Sequence, residues 1–459
     1  MSVFDGKRLP LEVFQLDAER LPRGWYSDKY FLNIANLLAD LAKRDYTFAG
    51  SVADGALPPG IDPHKVRTGD IEVEMQVFTR RRPFSIVAGV DEALAILRVA
   101  TGYYDEGDCF VPTYDCLEIE AVQDGVRVPY AGDPRDVHPV LRIRGRYRDF
   151  AVLETPMLGA LTEATRVATN VYAVLDAARG KEVLFFPARF AHYKLQALHG
   201  YAYSLAVQAY DRENNRRSQR SISTDEQGAW WGGRGGGTIA HSAIACFLGD
   251  TPETMVEFCR YEPAHIPRVA LVDFHNDCVG TTLRVMARMF PLYLAAWRAG
   301  NRDEAARYRL SGVRPDTGGT LRDESVEPLG DRRLDLGVNP RLVHNLRRAI
   351  DNAWRDWSVP FEWLDEARAW CRDIKIVVTG GFSPDKIRRF EELAVPVDVY
   401  GVGSWLLSNS SEDGTNNDYT ADIVRVRLDG EWVDMSKVGR QPGENPLLEP
   451  VNTAERETL

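Results

Sequence analysis

The segment IKIVVTGGFSPDKIRRFEELAVPVDVYGVG, residues 374–403, contains two short apolar runs separated by a helical pattern. The first run, at 374–381, and the second, at 395–403, both end in glycine-containing turns. Continuous apolar runs of this length are typical of strands that are buried on both faces of a parallel sheet. Because residues 384–393 have helical spacing, the segment predicts a strand–helix–strand unit.

The same pattern extends over the middle of the chain. Further apolar runs end in polar or glycine-rich turns at VLFF (183–186), VALVDF (269–274) and YRLSGVRPD (308–316). Helical patterns cover 160–178 and 340–354. Strands that alternate with helices predict an α/β barrel over about 165–405, with its functional residues just beyond the carboxyl ends of the strands.

The flanking segments have a different character. Residues 70–80 alternate apolar and charged side chains, which predicts a half-buried strand, and 140–147 predicts a second one. Helical spacing begins near Ser27, with Ser27 or Asp28 as the cap, and Asp91 to Ala100 predicts a short helix. We therefore expect an α+β unit at the N-terminus.

The last 50 or so residues contain one or two strands that we expect to return to this N-terminal unit. The predicted division of the chain is an N-terminal α+β domain at 1–160, an α/β barrel domain at 161–405 and a returning C-terminal segment at 406–459.

Composition excludes several classes of protein. With 459 residues, of which 44% are hydrophobic and 27% charged, the chain can bury a substantial core and is not disordered throughout. Its net charge of −11 argues against general binding of nucleic acid, which needs a basic face. The six cysteines form no CxxC pair, and no run of about 18 apolar residues predicts a membrane span. We expect a cytoplasmic protein with reduced thiols.

Arg314 and Asp316 are two residues apart on an extended segment, so their side chains share one face. A guanidinium group suits a carboxylate or a phosphate, and an aspartate beside it can accept hydrogen bonds from sugar hydroxyls. A simple ion pair at the end of a strand explains the two residues equally well.

His241 lies in GGGTIAHS, residues 235–242, where glycines precede a predicted helix. Glycine-rich loops let backbone amides approach an anion, and histidine can take up a phosphoryl group as a nucleophile. A buried histidine beside a flexible loop is the simpler interpretation. Asp273 follows a predicted strand and could orient His241, or hold Mg²⁺ through water.

Two glycine turns follow consecutive predicted strands and suggest a site for a phosphate monoester. In barrels, the loops after the last strands often bind phosphate through backbone amides. The residues are Gly380, Gly381, Gly401 and Gly403. Arg189, at the end of the VLFF strand, is expected to add positive charge at the same end of the sheet.

Six segments together resemble one family and occur in its order. They are RRPFSIVAG (81–89), LETPMLGALTEATRVATN (153–170), GGTIAHS (236–242), SGVRPDTGG (311–319), KIVVTGGF (375–382) and VDVYGVGS (397–404). From about Ser27 to Gly439, the chain resembles the nicotinate phosphoribosyltransferases, which are type II phosphoribosyltransferases. The resemblance implies an irregular α/β barrel with an α+β domain built from the N- and C-terminal segments. It also implies a homodimer whose active sites are shared between subunits.

The resemblance implies an ATP-coupled reaction of nicotinate with phosphoribosyl pyrophosphate, in which Mg²⁺ neutralises the leaving pyrophosphate. Each implied role rests on a matching segment. By this resemblance, His241 would be phosphorylated by ATP, and Tyr30 would stack on the pyridine ring from the partner subunit. Arg189 would reach the pyridine and the phosphates, and Asp316 would bind the ribose beside Arg314. The glycines that would hold the 5′-phosphate are Gly380, Gly381, Gly401 and Gly403.

Two segments depart from the usual family pattern. VRPDTGG is more similar to the nicotinamide-using enzyme, whereas STDEQG puts Ser223 and Thr224 where that enzyme has an aspartate that binds the amide. Hydroxyl groups can donate to a carboxylate that an aspartate would repel, which favours nicotinate. Asp225 is only one residue away, so a shift in the alignment would weaken this argument.

Three alternatives stay open. The nearest is a nicotinamide phosphoribosyltransferase. An aldolase-like barrel would need a Schiff-base lysine at the end of a strand, and Lys375 instead precedes its strand. A non-catalytic homologue that binds pyridine nucleotides is the third, although the intact His241, Asp316 and glycine turns argue against it.

Overall fold

A computed structural model describes residues 7–53 and 55–453 as a mixed α/β chain. The α-helices are α1 (Lys29–Lys43), α2 (Val90–Ala100), α3 (Glu154–Ala177), α4 (Gln196–Asn214), α5 (His241–Cys246), α6 (Thr251–Tyr261), α7 (Cys278–Arg298), α8 (Arg302–Arg307), α9 (Arg332–Asp335), α10 (Pro340–Asn352), α11 (Leu364–Arg372) and α12 (Pro384–Glu392). The strands are β1 (Glu72–Thr79), β2 (Phe84–Ile86), β3 (Gly102–Tyr104), β4 (Phe110–Pro112), β5 (Glu118–Ala121), β6 (Arg127–Pro129), β7 (Leu141–Arg146), β8 (Glu182–Phe185), β9 (Ser221–Ile222), β10 (Val269–Leu271), β11 (Gly312–Arg314), β12 (Lys375–Val378), β13 (Val399–Val402), β14 (Tyr419–Leu428), β15 (Glu431–Asp434) and β16 (Glu449–Val451).

The chain divides into two compact units. The first contains the described residues up to Tyr172, residues 201–214 and the described residues from Ser408 onward. The second contains residues 173–200 and 215–407. The boundaries predicted from the sequence, after residues 160 and 405, stay a prediction.

The first unit contains a six-stranded sheet in the order β15-β14-β1-β7-β5-β16, in which every neighbouring pair is antiparallel. The C-terminal strand β14 pairs with β1 along its length, from Val73 opposite Val426 to Thr79 opposite Tyr419. The helix predicted near Ser27 is confirmed as α1, and the short helix at 91–100 as α2.

The prediction that residues 70–80 form a half-buried strand is wrong in its burial. All residues of β1 after Glu72 are buried, so both faces of the strand are covered. Glu74 is fully buried because its carboxylate accepts from Arg144 at 2.7 Å and from Arg425 at 3.0 Å, on the two strands that flank β1. The alternation of apolar and charged residues predicted that one face of the strand is exposed. The charged side chain of Glu74 is instead paired with arginines inside the unit.

The second unit contains a six-stranded sheet in the order β10-β11-β12-β13-β8-β9, in which every neighbouring pair is parallel. The strand–helix–strand unit predicted at 374–403 is confirmed as β12, α12 and β13. The α/β class is therefore confirmed. In the described part of the chain β9 and β10 do not pair, and closure into a barrel stays a prediction.

Candidate active site

Several of the residues singled out from the sequence lie at one edge of the parallel sheet in the second unit. Asp273 follows the end of β10 by two residues, Arg314 is the last residue of β11, and Asp316 follows it by two. Gly380 follows the end of β12 by two residues. Since the carboxyl ends of parallel strands meet at the same edge of a sheet, these residues form one cluster.

His241 and Asp273 form a hydrogen-bonded pair. The histidine is the first residue of α5, and its Nε2 lies 3.0 and 3.1 Å from the two carboxylate oxygens of Asp273. The His241 side chain is 46% exposed, whereas that of Asp273 is 9% exposed. The interpretation of His241 as a buried histidine is therefore wrong. Because Nε2 donates to the carboxylate, Nδ1 keeps its lone pair free for chemistry.

Burial raises the pKa of Asp273 above its ordinary value, and the nearby carboxylate of Asp316 raises it further. The interaction with His241 acts in the opposite direction. Two carboxylates and one imidazole thus share an electrostatic environment, which is a common arrangement at functional sites.

Arg314 links the strand edge to the glycine-rich loop. Its Nη2 donates to the carbonyl oxygen of Ile239 at 3.0 Å, and its Nη1 lies 4.0 Å from Asp316 Oδ2. Burial lowers the pKa of Arg314, and the positive charge of Arg189 lowers it further, while Asp316 and Asp273 oppose this. The charge of Arg189 thus acts on Arg314, and two guanidinium groups at one site suit an anionic ligand.

The sequence analysis missed Thr379. Its Oγ1 donates to Asp316 Oδ1 at 2.7 Å, and the side chain is almost fully buried. This hydrogen bond fixes the direction of the carboxylate on the neighbouring strand end. The available signal was a hydroxyl residue directly before a glycine turn at the end of a predicted strand.

The two glycine segments differ in structure. Gly380 and Gly381 have φ angles of +95° and +64°, a conformation that favours glycine, so they form a turn after β12 as predicted. Gly401 does not lie in a turn. It is buried within β13 opposite Leu184 of β8, and only Gly403 follows the strand. That part of the turn prediction is wrong, because the strand continues through Gly401 to Val402.

Steric contact explains the glycines of the second segment. A Cβ atom on Gly401 would lie 2.5 Å from Cγ2 of Thr379, and one on Gly403 would lie 2.7 Å from the ring of Phe190. Both distances are shorter than real Cβ contacts allow, so close packing requires glycine at both positions. Their role in binding a 5′-phosphate stays a prediction.

The hydroxyl groups of Ser223 and Thr224 already have partners. Thr224 Oγ1 donates to Gln196 Oε1 at 2.9 Å, and Ser223 Oγ donates to Gln227 Oε1 at 3.2 Å. The neighbouring Asp225 accepts from the backbone N–H of Gly235 at 2.9 Å, which joins this segment to the glycine-rich loop. A ligand carboxylate would have to replace the two glutamine oxygens.

Tyr30 belongs to the first unit. It is the second residue of α1, its side chain is 63% exposed, and its hydroxyl donates to Asp28 Oδ2 at 3.2 Å. Desolvation and the Asp28 charge raise the pKa of the phenol. Asp28 occupies the predicted cap position, but its side chain does not bond to the helix amides; it accepts from Tyr30 and from Thr155.

Within residues 7–53 and 55–453, the structure has neither a cluster of metal-binding side chains nor a membrane-spanning helix. No group of three or more histidine, cysteine, aspartate or glutamate side chains is arranged to hold a metal ion. None of the helices described there combines the length and the apolar character needed to cross a membrane. Within the site, the carboxylate oxygens of Asp273 and Asp316 are the ligands of the kind that Mg²⁺ prefers.

Comparison with known proteins gives one partial family match. Residues 62–165 match the family model of the quinolinate phosphoribosyl transferase N-terminal domain. That range is less than a quarter of the chain. No curated protein matches the sequence.

Two solved structures have a similar fold. The nicotinate-nucleotide pyrophosphorylase from Pyrococcus furiosus is 21% identical, with a TM-score of 0.58, and the match covers 96% of this chain and 86% of that one. Human nicotinic acid phosphoribosyltransferase is 16% identical, with a TM-score of 0.53, over 88% of this chain and 75% of that one. The likeness shows that this chain shares their fold.

Proposed function

We propose that this chain is a nicotinate phosphoribosyltransferase that forms nicotinate mononucleotide and pyrophosphate and couples this transfer to ATP hydrolysis. The observation that carries the proposal is the adjacency of the His241–Asp273 pair and the Arg314–Asp316 pair at one edge of the parallel sheet. The order of six sequence segments and the shared fold with two pyridine-nucleotide enzymes support it.

The transfer is a displacement at the anomeric carbon of phosphoribosyl pyrophosphate. The pyridine nitrogen forms the new bond to that carbon as the bond to the pyrophosphate oxygen breaks, through an oxocarbenium-like transition state. Asp316 accepts from the ribose hydroxyls, in the direction that Thr379 fixes. The attacking nitrogen carries no proton, so this step needs no general base.

Mg²⁺ fits the site as a metal held mainly by substrate. Magnesium in such enzymes is bound by one or two carboxylates together with phosphate oxygens, and Asp316 is close enough to Asp273 to raise the pKa of that carboxyl group. When bound, the ion neutralises the charge of the departing pyrophosphate.

The coupling to ATP uses the free nitrogen of His241. Nδ1 attacks the γ-phosphorus of ATP, the bond between that phosphorus and the β–γ bridging oxygen breaks, and ADP departs. Asp273 holds the Nε2 proton and stabilises the positive charge that develops on the ring. Water later attacks that phosphorus, the phosphorus–nitrogen bond breaks, and inorganic phosphate departs from the free histidine.

Recognition of the nicotinate carboxylate is assigned to Arg189 and Arg314, with Ser223 and Thr224 as additional donors. Guanidinium groups form strong charge-assisted hydrogen bonds to a carboxylate, and the positive charge of Arg189 acts on Arg314. The two hydroxyl groups exchange their glutamine acceptors for the carboxylate when the substrate binds.

Quinolinate, pyridine-2,3-dicarboxylate, is a second candidate substrate. The match of residues 62–165 to a quinolinate phosphoribosyl transferase domain favours it. Two guanidinium groups, those of Arg189 and Arg314, would also suit a dicarboxylate.

The test is a substrate comparison with purified protein, phosphoribosyl pyrophosphate and Mg²⁺. Nicotinate, nicotinamide and quinolinate are each supplied with and without ATP, and the products are separated by chromatography. We expect nicotinate mononucleotide as the main product, with faster formation when ATP is present. If nicotinamide or quinolinate gives product and nicotinate does not, the substrate assignment is overturned. If none of the three pyridines gives product, the proposed function is overturned.

A further inference from the structure

Lys386 lies on α12, the helix that follows the turn formed by Gly380 and Gly381. Its Nζ donates to the carbonyl oxygen of Gly380 at 3.1 Å. The same nitrogen lies 4.1 Å from the ring centroid of Phe382 and 6.0 Å from that of Phe390. The two rings pack against each other with centroids 5.1 Å apart, so the ammonium group is held on a rigid surface.

The ammonium group of Lys386 has no carboxylate partner. Within the part of the chain that the structure describes, no carboxylate lies within ion-pair distance of its Nζ, although the side chain is half-buried. The carboxylate of Asp316 lies beside the turn, where a Cβ atom on Gly380 would be 3.4 Å from its Oδ1, and it already pairs with Thr379 and Arg314. Burial lowers the pKa of Lys386 to about 8, as expected for a cation that has lost water and gained no counter-charge.

An ammonium group has three N–H donors, and only one of them contacts an acceptor here. The aromatic rings cannot accept conventional hydrogen bonds from the others at full strength. A half-buried cation with unused donors, beside a turn with two glycines at positive φ, is a suitable partner for an anion.

From this arrangement, we infer that Lys386 is a phosphate-binding residue whose ammonium group pairs with the phosphate monoester of a sugar phosphate at the Gly380–Gly381 turn. The inference rests on the proposed function for the source of that phosphate, which is the 5′-phosphate of phosphoribosyl pyrophosphate. Lys386 supplies a fixed positive charge, and the turn supplies backbone donors.

The first experiment measures binding of inorganic phosphate to the full chain by calorimetry, without any pyridine. Lys386→Met keeps the length of the side chain and its packing on Phe382 but removes the charge, whereas Lys386→Arg keeps the charge. Lys375→Met is the matched control, because Lys375 is an exposed lysine at the opposite end of β12. We expect a loss of about tenfold or more in phosphate affinity for Lys386→Met, near wild-type affinity for Lys386→Arg, and no change for the control.

The same variants should affect the KM for phosphoribosyl pyrophosphate and the KM for nicotinate differently. The KM for phosphoribosyl pyrophosphate should rise in Lys386→Met, and the KM for nicotinate should stay constant. Equal phosphate affinity in wild type and Lys386→Met would overturn the inference. Failure of the wild type to form nicotinate mononucleotide would instead overturn the proposed function, and the phosphate titration would still decide the role of Lys386.

A measurement on the wild-type protein covers the case in which the neutral variant does not fold. Acetylation of lysines by an amine-reactive reagent is mapped by mass spectrometry with and without saturating inorganic phosphate. We expect phosphate to slow acetylation of Lys386 several-fold and to leave Lys375 unchanged. Equal acetylation of Lys386 under both conditions would contradict the inference.

Discussion

One carboxylate determines which nitrogen of His241 can react. Asp273 accepts from Nε2, so in the neutral ring the lone pair lies on Nδ1, the nitrogen that we propose attacks phosphorus. The aspartate is largely buried whereas the histidine is about half exposed. This asymmetry combines a fixed orientation of the imidazole ring with access from solvent.

His241→Ala should abolish ATP hydrolysis and the stimulation of transfer by ATP, while slow ATP-independent transfer survives. The reason is that the nucleophile for the γ-phosphoryl group is lost but the binding groups for the other substrates remain. The measurement is acid-labile phosphate on the protein after exposure to labelled ATP, together with product formation. His265→Ala, at an exposed histidine, is the matched control. Retention of the acid-labile label in His241→Ala would assign the phosphoryl acceptor to another residue.

Thr379→Val should lower kcat/KM for phosphoribosyl pyrophosphate by about tenfold or more, since a hydrogen bond to a charged group contributes ~1.5–3 kcal/mol. The substitution preserves side-chain shape and releases Asp316 from its fixed direction. The control is Thr282→Val, because the buried hydroxyl of Thr282 has no hydrogen-bond partner in the described structure. Equal kinetics in both variants would show that the Asp316 orientation does not matter.

At the scale of elements, the close approach of β12 and β13 explains a glycine inside a strand. Gly401→Ala should lower the free energy of unfolding by ~1–3 kcal/mol, because its Cβ would overlap with Thr379 and press on Phe186. Gly237→Ala is the control, since nothing lies within 4 Å of its Cβ, and we expect a change of ~0.5 kcal/mol or less. Urea denaturation of both variants is the measurement. A loss no larger than that of the control would contradict the steric explanation.

The central strand of the antiparallel sheet depends on a buried charge. Glu74→Gln should lower the free energy of unfolding by ~3–5 kcal/mol, because it leaves Arg144 and Arg425 without their shared carboxylate. Glu72 lies on the same strand as Glu74 and forms an exposed ion pair with Arg427 of β14. Glu72→Gln should therefore lower the free energy of unfolding by ~0.5 kcal/mol or less. Equilibrium denaturation of both variants gives the two values. Similar small losses would mean that the arginines find other partners.

At the scale of the whole molecule, the prediction concerns subunits. If Tyr30 contributes to the site of the partner subunit, equal mixing of Tyr30→Ala and His241→Ala chains should restore about a quarter of wild-type ATP-stimulated activity. Half of the dimers are then mixed, and each mixed dimer contains one complete site. Activity is measured after unfolding and refolding the mixture, with each variant alone as the control. No recovery above the two variants alone would exclude sharing of the site through Tyr30.

The sequence by itself determined the α/β class and the strand–helix–strand unit at 374–403, because the hydrophobic period and the glycine turns are local properties of the chain. The same patterns placed four residues at the ends of predicted strands or helices, namely His241, Asp273, Arg314 and Asp316. The functional roles proposed for these residues depend on experiments, since local patterns carry no information on what a cluster binds.

Only the tertiary structure decided which side chains meet across strands. Thr379 and Asp316 are 63 residues apart, and the burial of Glu74 depends on arginines 70 and 351 residues away. The glycine at 401 is required by the side chain of Thr379, which directly follows the neighbouring strand β12, and not by a turn. Contacts of this kind arise from the pairing of distant segments, and a local sequence pattern therefore cannot predict them.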